Sequence, residues 1–169
     1  GKVRYIGASN LSEERLRESL EASKTQHLPR YQVFQPGYNL YDRQEFEQGV
    51  AQLCQQEGLG VITYFSLASG FLTGKYRSKQ DLDKSVRGSG VDKYLNERGT
   101  RILTVLDKMA EKHQVQQAAV ALAWLVQNPL VTAPIASATK PKHLQAFTEA
   151  AQLQLSPEDV QQLEEASAY

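Results

Sequence analysis

Residues 60–76 read GVITYFSLASGFLTGKY and combine three kinds of chemistry in one run. Val61, Ile62, Thr63, Tyr64 and Phe65 are β-branched or aromatic and of strand length. The chain then turns small at Ser66, Ala68, Ser69, Gly70, Thr73 and Gly74, and ends on the cation Lys75. Backbone amides can approach an anion closely where side chains are small, and Lys75 adds a point charge. Tyr64, at the strand's exit, offers a flat face to a ring. The run contains neither GxGxxG nor GxxxxGK[ST], so spacing alone reads it as a strand followed by a surface turn. Cys54, the only cysteine, falls on an apolar helical face and reads as core. It leaves no internal disulfide and no cysteine-rich metal site. His27 reads as exposed and His113 as a helix-end cation suited to the dipole. No two histidines have ligand spacing, so no metal is expected.

The elements that position this run alternate. Residues 2–6 alternate polar and apolar and predict a strand, stopped at Gly7-Ala8-Ser9-Asn10. Ser12 then caps a helix with Glu13 and Glu14 in its first turn and Leu16 and Leu20 on one face, reaching about Lys24. Residues 31–35 predict a second strand, ended by Pro36-Gly37. A helix carries Phe46, Val50, Leu53 and Cys54, with Gly58 placed to cap its end. The third strand is 61–65. Residues 77–96, charged and rich in serine and glycine, predict a long surface loop, with room for a short helix, of the kind that serves as a lid or binding segment.

From Glu97 the helical period returns through Ile102, Val105, Leu106, Met109 and Ala110. A second helix, about Gln116 to Gln127, is apolar nearly all round and should be buried on more than one side. Residues 131–135 predict the fourth strand, Ser137 to Lys140 its exit loop, and Pro141 the first position of a helix. Ser156, Pro157, Glu158 and Asp159 mark the start of the last helix, which runs to about Ala166. The order predicts an α/β fold of parallel strands with right-handed crossovers. The small polar segments all follow strands, which places them together at the carboxyl edge of one sheet, where α/β proteins bind ligands.

The 169 residues suffice for one domain with a real core. Nineteen basic residues cancel 19 acidic ones, which gives no reason to expect a nucleic-acid or anionic-membrane partner. A hydrophobic share of 41% suits a soluble globular chain, and no apolar run approaches the ~20 residues of a membrane span. No signal peptide is visible, and a single cysteine fits a reducing, cytoplasmic setting. Gly1 is no natural start, so the chain reads as trimmed or cut from something longer.

Five segments carry a resemblance: GKVRYIGASN at 1–10, QPGYNLYDR at 35–43, YFSLASGFLTGKY at 64–76, ALAWLVQNP at 121–129 and PIASATKPKHL at 134–144. In this order and spacing they resemble the C-terminal half of an aldo-keto reductase, over nearly the whole chain. The resemblance implies parallel (β/α) units of a TIM barrel. This chain would be a half-barrel supplying strands five to eight, with the active site at the C-terminal strand ends. It implies NADP(H) as cofactor, NAD(H) less so, and an enzyme that reduces aldehydes or ketones to alcohols. By resemblance, Ser9, Asn10 and Gln35 would hold the nicotinamide carboxamide, a group that both donates and accepts. Tyr64 would stack on the nicotinamide. Leu67, Ser69, Gly70, Leu72, Thr73, Gly74 and Lys75 would line the pyrophosphate, with Arg87 a clamp over the phosphates. Thr139, Lys140 and His143 fall where the family grips the adenosine 2′-phosphate, and Lys140 suits a dianion.

The chain departs from the family pattern at Ala146 and Phe147, where many members place Glu-Asn against the adenine, and at His143, usually glutamine or arginine. The family's catalytic Asp, Tyr, Lys and His lie in the first half of the barrel. The chain alone is therefore expected to be inactive, and Tyr38, Tyr41 and Lys75 align with none of those roles. The expected partners are a small carbonyl substrate and the missing N-terminal half. Failing that half, the chain is expected to self-associate across exposed sheet edges. The alternatives are a non-catalytic cofactor-binding subunit resembling potassium-channel β-subunits, or an inactive half-barrel fragment.

Overall fold

The computed structural model describes residues 1–84 and 88–169. Four parallel strands form one sheet in the sequential order β1 (Ile6–Ser9), β2 (Tyr31–Gln35), β3 (Gly60–Thr63), β4 (Ala133–Pro134). The α1 helix (Glu13–Thr25) connects the first two strands, and a π turn (Phe46–Val50) running into α2 (Ala51–Gln56) connects the next two. Between β3 and β4 lie short 3-10 turns, α3 (Glu97–His113) and α4 (Gln117–Gln127). After β4 come α5 (Pro141–Gln152) and α6 (Pro157–Ser167). No described helix is long and apolar enough to cross a membrane.

The sheet is one-sided. Side chains alternate along each strand. Ala8, Phe34 and Val61 share one row and join the core with the helices. On the opposite face Ser9, Gln35, Ile62 and Ala133 stay half-buried or exposed. Parallel sheets are usually covered on both faces.

Local signals explain the helix ends. The Ser12 hydroxyl accepts the Arg15 amide at 3.3 Å, and Leu16 and Leu20 bury the inner face of α1. Gly58, at φ +62, ends α2: its N–H reaches the Gln55 carbonyl while Leu59 N–H reaches Cys54. Cys54 is buried, as its spacing predicts. Every residue from Ala118 to Leu125 is buried, so α4 is the central helix. Ser156 and Asp159 form a reciprocal capping box on α6.

Several expected boundaries move. The first strand is not 2–6 but Ile6–Ser9, because pairing to β2 begins only at Ile6 and Val3 and Tyr5 stay exposed. The third strand is Gly60–Thr63, not 61–65, since Phe65 adopts a left-handed backbone at φ 55. The fourth shrinks from 131–135 to Ala133–Pro134; Pro134 lacks an N–H, and Ile135 N–H makes the bond to Thr63 instead. The helix through Phe46 to Cys54 is broken by non-helical Gly49. The 77–96 segment is not simply a surface loop: Val91 and Tyr94 are buried, with Tyr94 stacked on Phe71 at 5.2 Å.

His113 ends α3 but does more than face the dipole. Its Nε2 lies 2.9 Å from Oδ2 of Asp159, whose Oδ1 accepts Lys112 at 2.6 Å. Burial penalises the charged Asp159 carboxylate, yet these two partners and the Ser156 N–H outweigh it and lower its pKa to about 2. This cluster ties α3 to α6.

Candidate functional site

The strand exits bring Ser9, Asn10, Gln35 and Tyr64 together. Ser9 and Gln35 are paired in register, and Ser9 Oγ donates to the Gln35 carbonyl at 2.9 Å. Asn10 follows in the left-handed region at φ 57, which asparagine tolerates well. Its Oδ1 accepts the Tyr64 hydroxyl at 2.8 Å. Among the described residues the Asn10 amide nitrogen then has no acceptor. The Tyr64 ring lies against Gly37, where a side chain would meet its Cζ at 3.2 Å. Backbone bonds Tyr64 N–H to Pro36 and Tyr38 N–H to Tyr64 lock that pairing. The site therefore holds a hydroxyl, two amides and a half-exposed aromatic ring across three adjacent strand ends.

The loop after β3 begins with four unusual backbones. Phe65, Ala68, Ser69 and Gly70 all have positive φ, at 55, 56 or less for the non-glycines and 93 for Gly70. Such strain costs on the order of 1–3 kcal/mol per non-glycine residue and persists only where the surroundings enforce it. Here they do. The Phe65 carbonyl accepts both Ala68 N–H at 2.7 Å and Asn39 Nδ2 at 3.0 Å. Buried Ser66 donates to the Ile135 carbonyl at 2.8 Å, tying this loop to the exit of β4. Thr73 Oγ1 donates to the Gly70 carbonyl at 2.8 Å, and Gly74 closes the turn at φ 77. Leu67 and Ser69 are half-buried. Leu72 is wholly in the core, so only its backbone could face an anion. Lys75 is exposed, its ammonium 4.8 Å from the Tyr76 ring and close over Gly70.

Thr139, Lys140 and His143 gather at the start of α5. Thr139 N–H donates to His143 Nδ1 at 3.2 Å, which assigns the ring proton to Nε2 when the histidine is neutral. Lys140 caps the helix with its backbone, and its ammonium has no carboxylate partner among the described residues. No hydrogen bond joins this group directly to the 66–75 loop among the described residues. Ala146 faces the core and Phe147 packs against it, so neither substitutes for a polar contact. Arg87 lies outside the described residues.

Tyr38 and Tyr41 are structural. Tyr38 is buried and donates to Glu47 at 2.6 Å; burial first, then this bond, hold its phenol far above the ordinary range. Tyr41 packs edge-on to Tyr94 at 4.8 Å beneath Arg98. The sequence reading missed Asn39, Asp42, Ser66 and Tyr94 as supports of the site. The available signal was Asn39 itself: its Oδ1 accepts the N–H groups of Tyr41 and Asp42, a local turn that asparagine characteristically makes.

Comparison with known proteins shows the family of the chain. The aldo/keto reductase family model matches residues 1–168. The chain is 31% identical over 156 residues to L-glyceraldehyde 3-phosphate reductase of Escherichia coli K12, covering 89% of this chain and 45% of that protein. It is 31% identical over 166 residues to Protein tas of the same organism, covering 97% and 48%. It is 27% identical over 169 residues to Aldo-keto reductase yakc [NADP(+)] of Schizosaccharomyces pombe, covering 98% and 48%. The chain thus spans about half the length of the curated relatives it matches. With the family model matched over residues 1–168 and curated relatives at 31% identity, the chain belongs to the aldo/keto reductase family.

Proposed function

We propose that the chain is the cofactor-binding half of an NADP(H)-dependent oxidoreductase that interconverts small aldehydes or ketones and their alcohols. The observation that carries this reading is the convergence of Ser9, Asn10, Gln35 and Tyr64 at adjacent strand ends. A bound dinucleotide would supply or accept hydride. The chain's own residues bind and orient it. Ser9, the Asn10 amide and Gln35 match a carboxamide's mixed donors and acceptors, and Tyr64 presents a ring face held by Asn10 and Gly37. Ser69, Gly70, Thr73, Gly74 and Lys75 form a small-residue turn with one cation, suited to a pyrophosphate. Lys140, without a carboxylate partner among the described residues and beside Thr139 and His143, suits the adenosine 2′-phosphate and favours NADPH over NADH. A relative whose name carries NADP(+) supports the same preference.

The sequential, one-sided parallel sheet supports strands five to eight of a closed (β/α)8 barrel. The uncovered face would line the barrel interior, and the proton-transfer residues would come from the half that completes it. A cytoplasmic setting fits such an enzyme.

Titration calorimetry of the 169-residue chain with NADPH and NADH tests the reading. Saturable binding, tighter for NADPH, with no carbonyl turnover by the chain alone, is expected. No saturable binding of either dinucleotide overturns it.

A further inference from the structure

We propose that Asn39 and Asp42 are positioning residues that couple the 92–94 turn to the strained backbone presenting Tyr64 and the phosphate-side loop. This rests on the reading of that loop as the dinucleotide grip. Asn39 is wholly buried and all its polar capacity is used. Its Oδ1 accepts two backbone N–H groups of its own turn, while Nδ2 donates to Asp42 Oδ2 at 3.1 Å and to the Phe65 carbonyl at 3.0 Å. Phe65 is the residue directly after Tyr64 and the first in the loop after β3 with positive φ. Its ring is 58% exposed, so packing of that side chain does not explain the strained backbone. The clamp on its carbonyl does.

Asp42 extends the clamp. Its Oδ2 also accepts the Tyr94 hydroxyl at 2.6 Å, and Lys93 lies 3.4 Å from Oδ1. Burial and this carboxylate hold the Tyr94 phenol protonated far above its ordinary range, so it serves as a fixed donor. The Tyr94 ring stacks on Phe71, which belongs to the loop itself. The loop is thus held at both ends by one network: at Phe65 through Asn39, and at Phe71 through Tyr94. A shift of Tyr94 releases the Asp42 carboxylate, and through it the amide that fixes Phe65.

The experiment compares wild type with Asn39→Asp, which keeps the acceptor but removes the donor, and with Tyr94→Phe, which keeps the ring but removes the hydroxyl. Amide hydrogen exchange is followed in the ligand-free chain, and NADPH affinity separately. Loss of such a bond should speed exchange at Phe65 to Leu72 by about tenfold in Asn39→Asp and a few-fold in Tyr94→Phe, leaving α1 and α5 unchanged. NADPH Kd should rise by a similar factor. Unchanged exchange in the loop, or acceleration spread evenly over the chain, overturns the proposal. If Asn39→Asp does not fold, Tyr94→Phe decides by the same readout. If wild type binds no dinucleotide, the cofactor reading falls, while the exchange comparison still decides whether these residues position the loop.

Discussion

Replacing Asp159 by asparagine should destabilise the chain by an amount that depends on pH. The wild-type carboxylate is fully buried, accepts Lys112 at 2.6 Å and lies 2.9 Å from His113 Nε2. Its pKa falls from 3.8 to about 2 on folding. At about 1.4 kcal/mol per unit, that difference corresponds to about 2 kcal/mol of stability. Because the folded pKa is the depressed one, the contribution is complete above the unfolded pKa, near 4. It is lost as pH falls from there through 2. Asparagine keeps the shape but not the charge, and leaves Lys112 and His113 facing a neutral group. Urea unfolding of both proteins at pH 7 should separate them by about 2–3 kcal/mol, a difference that shrinks toward zero as the pH approaches 2. Lys112 is half exposed and can turn to water, which keeps the loss below that of a sealed pair. A gap of the same size at pH 7 and at pH 2.5 would refute the electrostatic account and leave only packing. The bonds of the cluster run to Lys112, His113 and Ser156 and to none of the strand-exit residues, so dinucleotide affinity at pH 7 should not change.

Tyr64→Ala removes the ring that Asn10 and Gly37 hold, and should weaken NADPH binding at least tenfold by calorimetry, whereas Tyr64→Phe costs only a few-fold. Lys140→Met should weaken NADPH about tenfold and leave NADH unchanged, so that the ratio of the two dissociation constants reports the phosphate contact. Gly99→Ala should destabilise by about 1–3 kcal/mol in urea, although alanine is the better helix former. A methyl there would overlap the Tyr94 carbonyl oxygen and approach Phe71 Cζ to 2.9 Å. Cys54 is buried and burial raises its pKa to about 11, so at pH 8 it should react with a disulfide reagent only at the rate of unfolding.

Much of this was readable because it is local. Ser12, Ser156 and Gly58 announce helix ends through bonds made within a few residues, and the apolar period of α3 and the all-round burial of α4 follow from their own sequences. The strand exits were readable as sites because small and polar residues follow each strand. What failed depended on distant partners. Residues 2–5 have strand-like alternation but find no neighbour to pair with among the described residues, and Pro134 cut β4 short by removing a donor. Nothing near Tyr94 in sequence says that Phe71 and Asp42 will enclose it. The supports of the site were hidden for the same reason: Asn39 reaches Phe65 across 26 residues, and Ser66 reaches Ile135 across 69.

The sequential strand order bears on how the chain is made. Each new strand is laid against the one synthesised just before it, so β1 and its helix are already present when β2 leaves the ribosome, and so on to β4. No strand has to wait for a later one to be inserted between it and its neighbour. Pairing searches are thus short for the first three strands, whose connections are single helical segments, and longer for β4, which follows the 3-10 turns and two helices. The step most exposed to mispairing is therefore the docking of the two-residue β4. It is secured less by its own ladder than by Thr132 and Ile135 on either side of it, which donate to Val61 and Thr63, and by Ser66, which grips the Ile135 carbonyl.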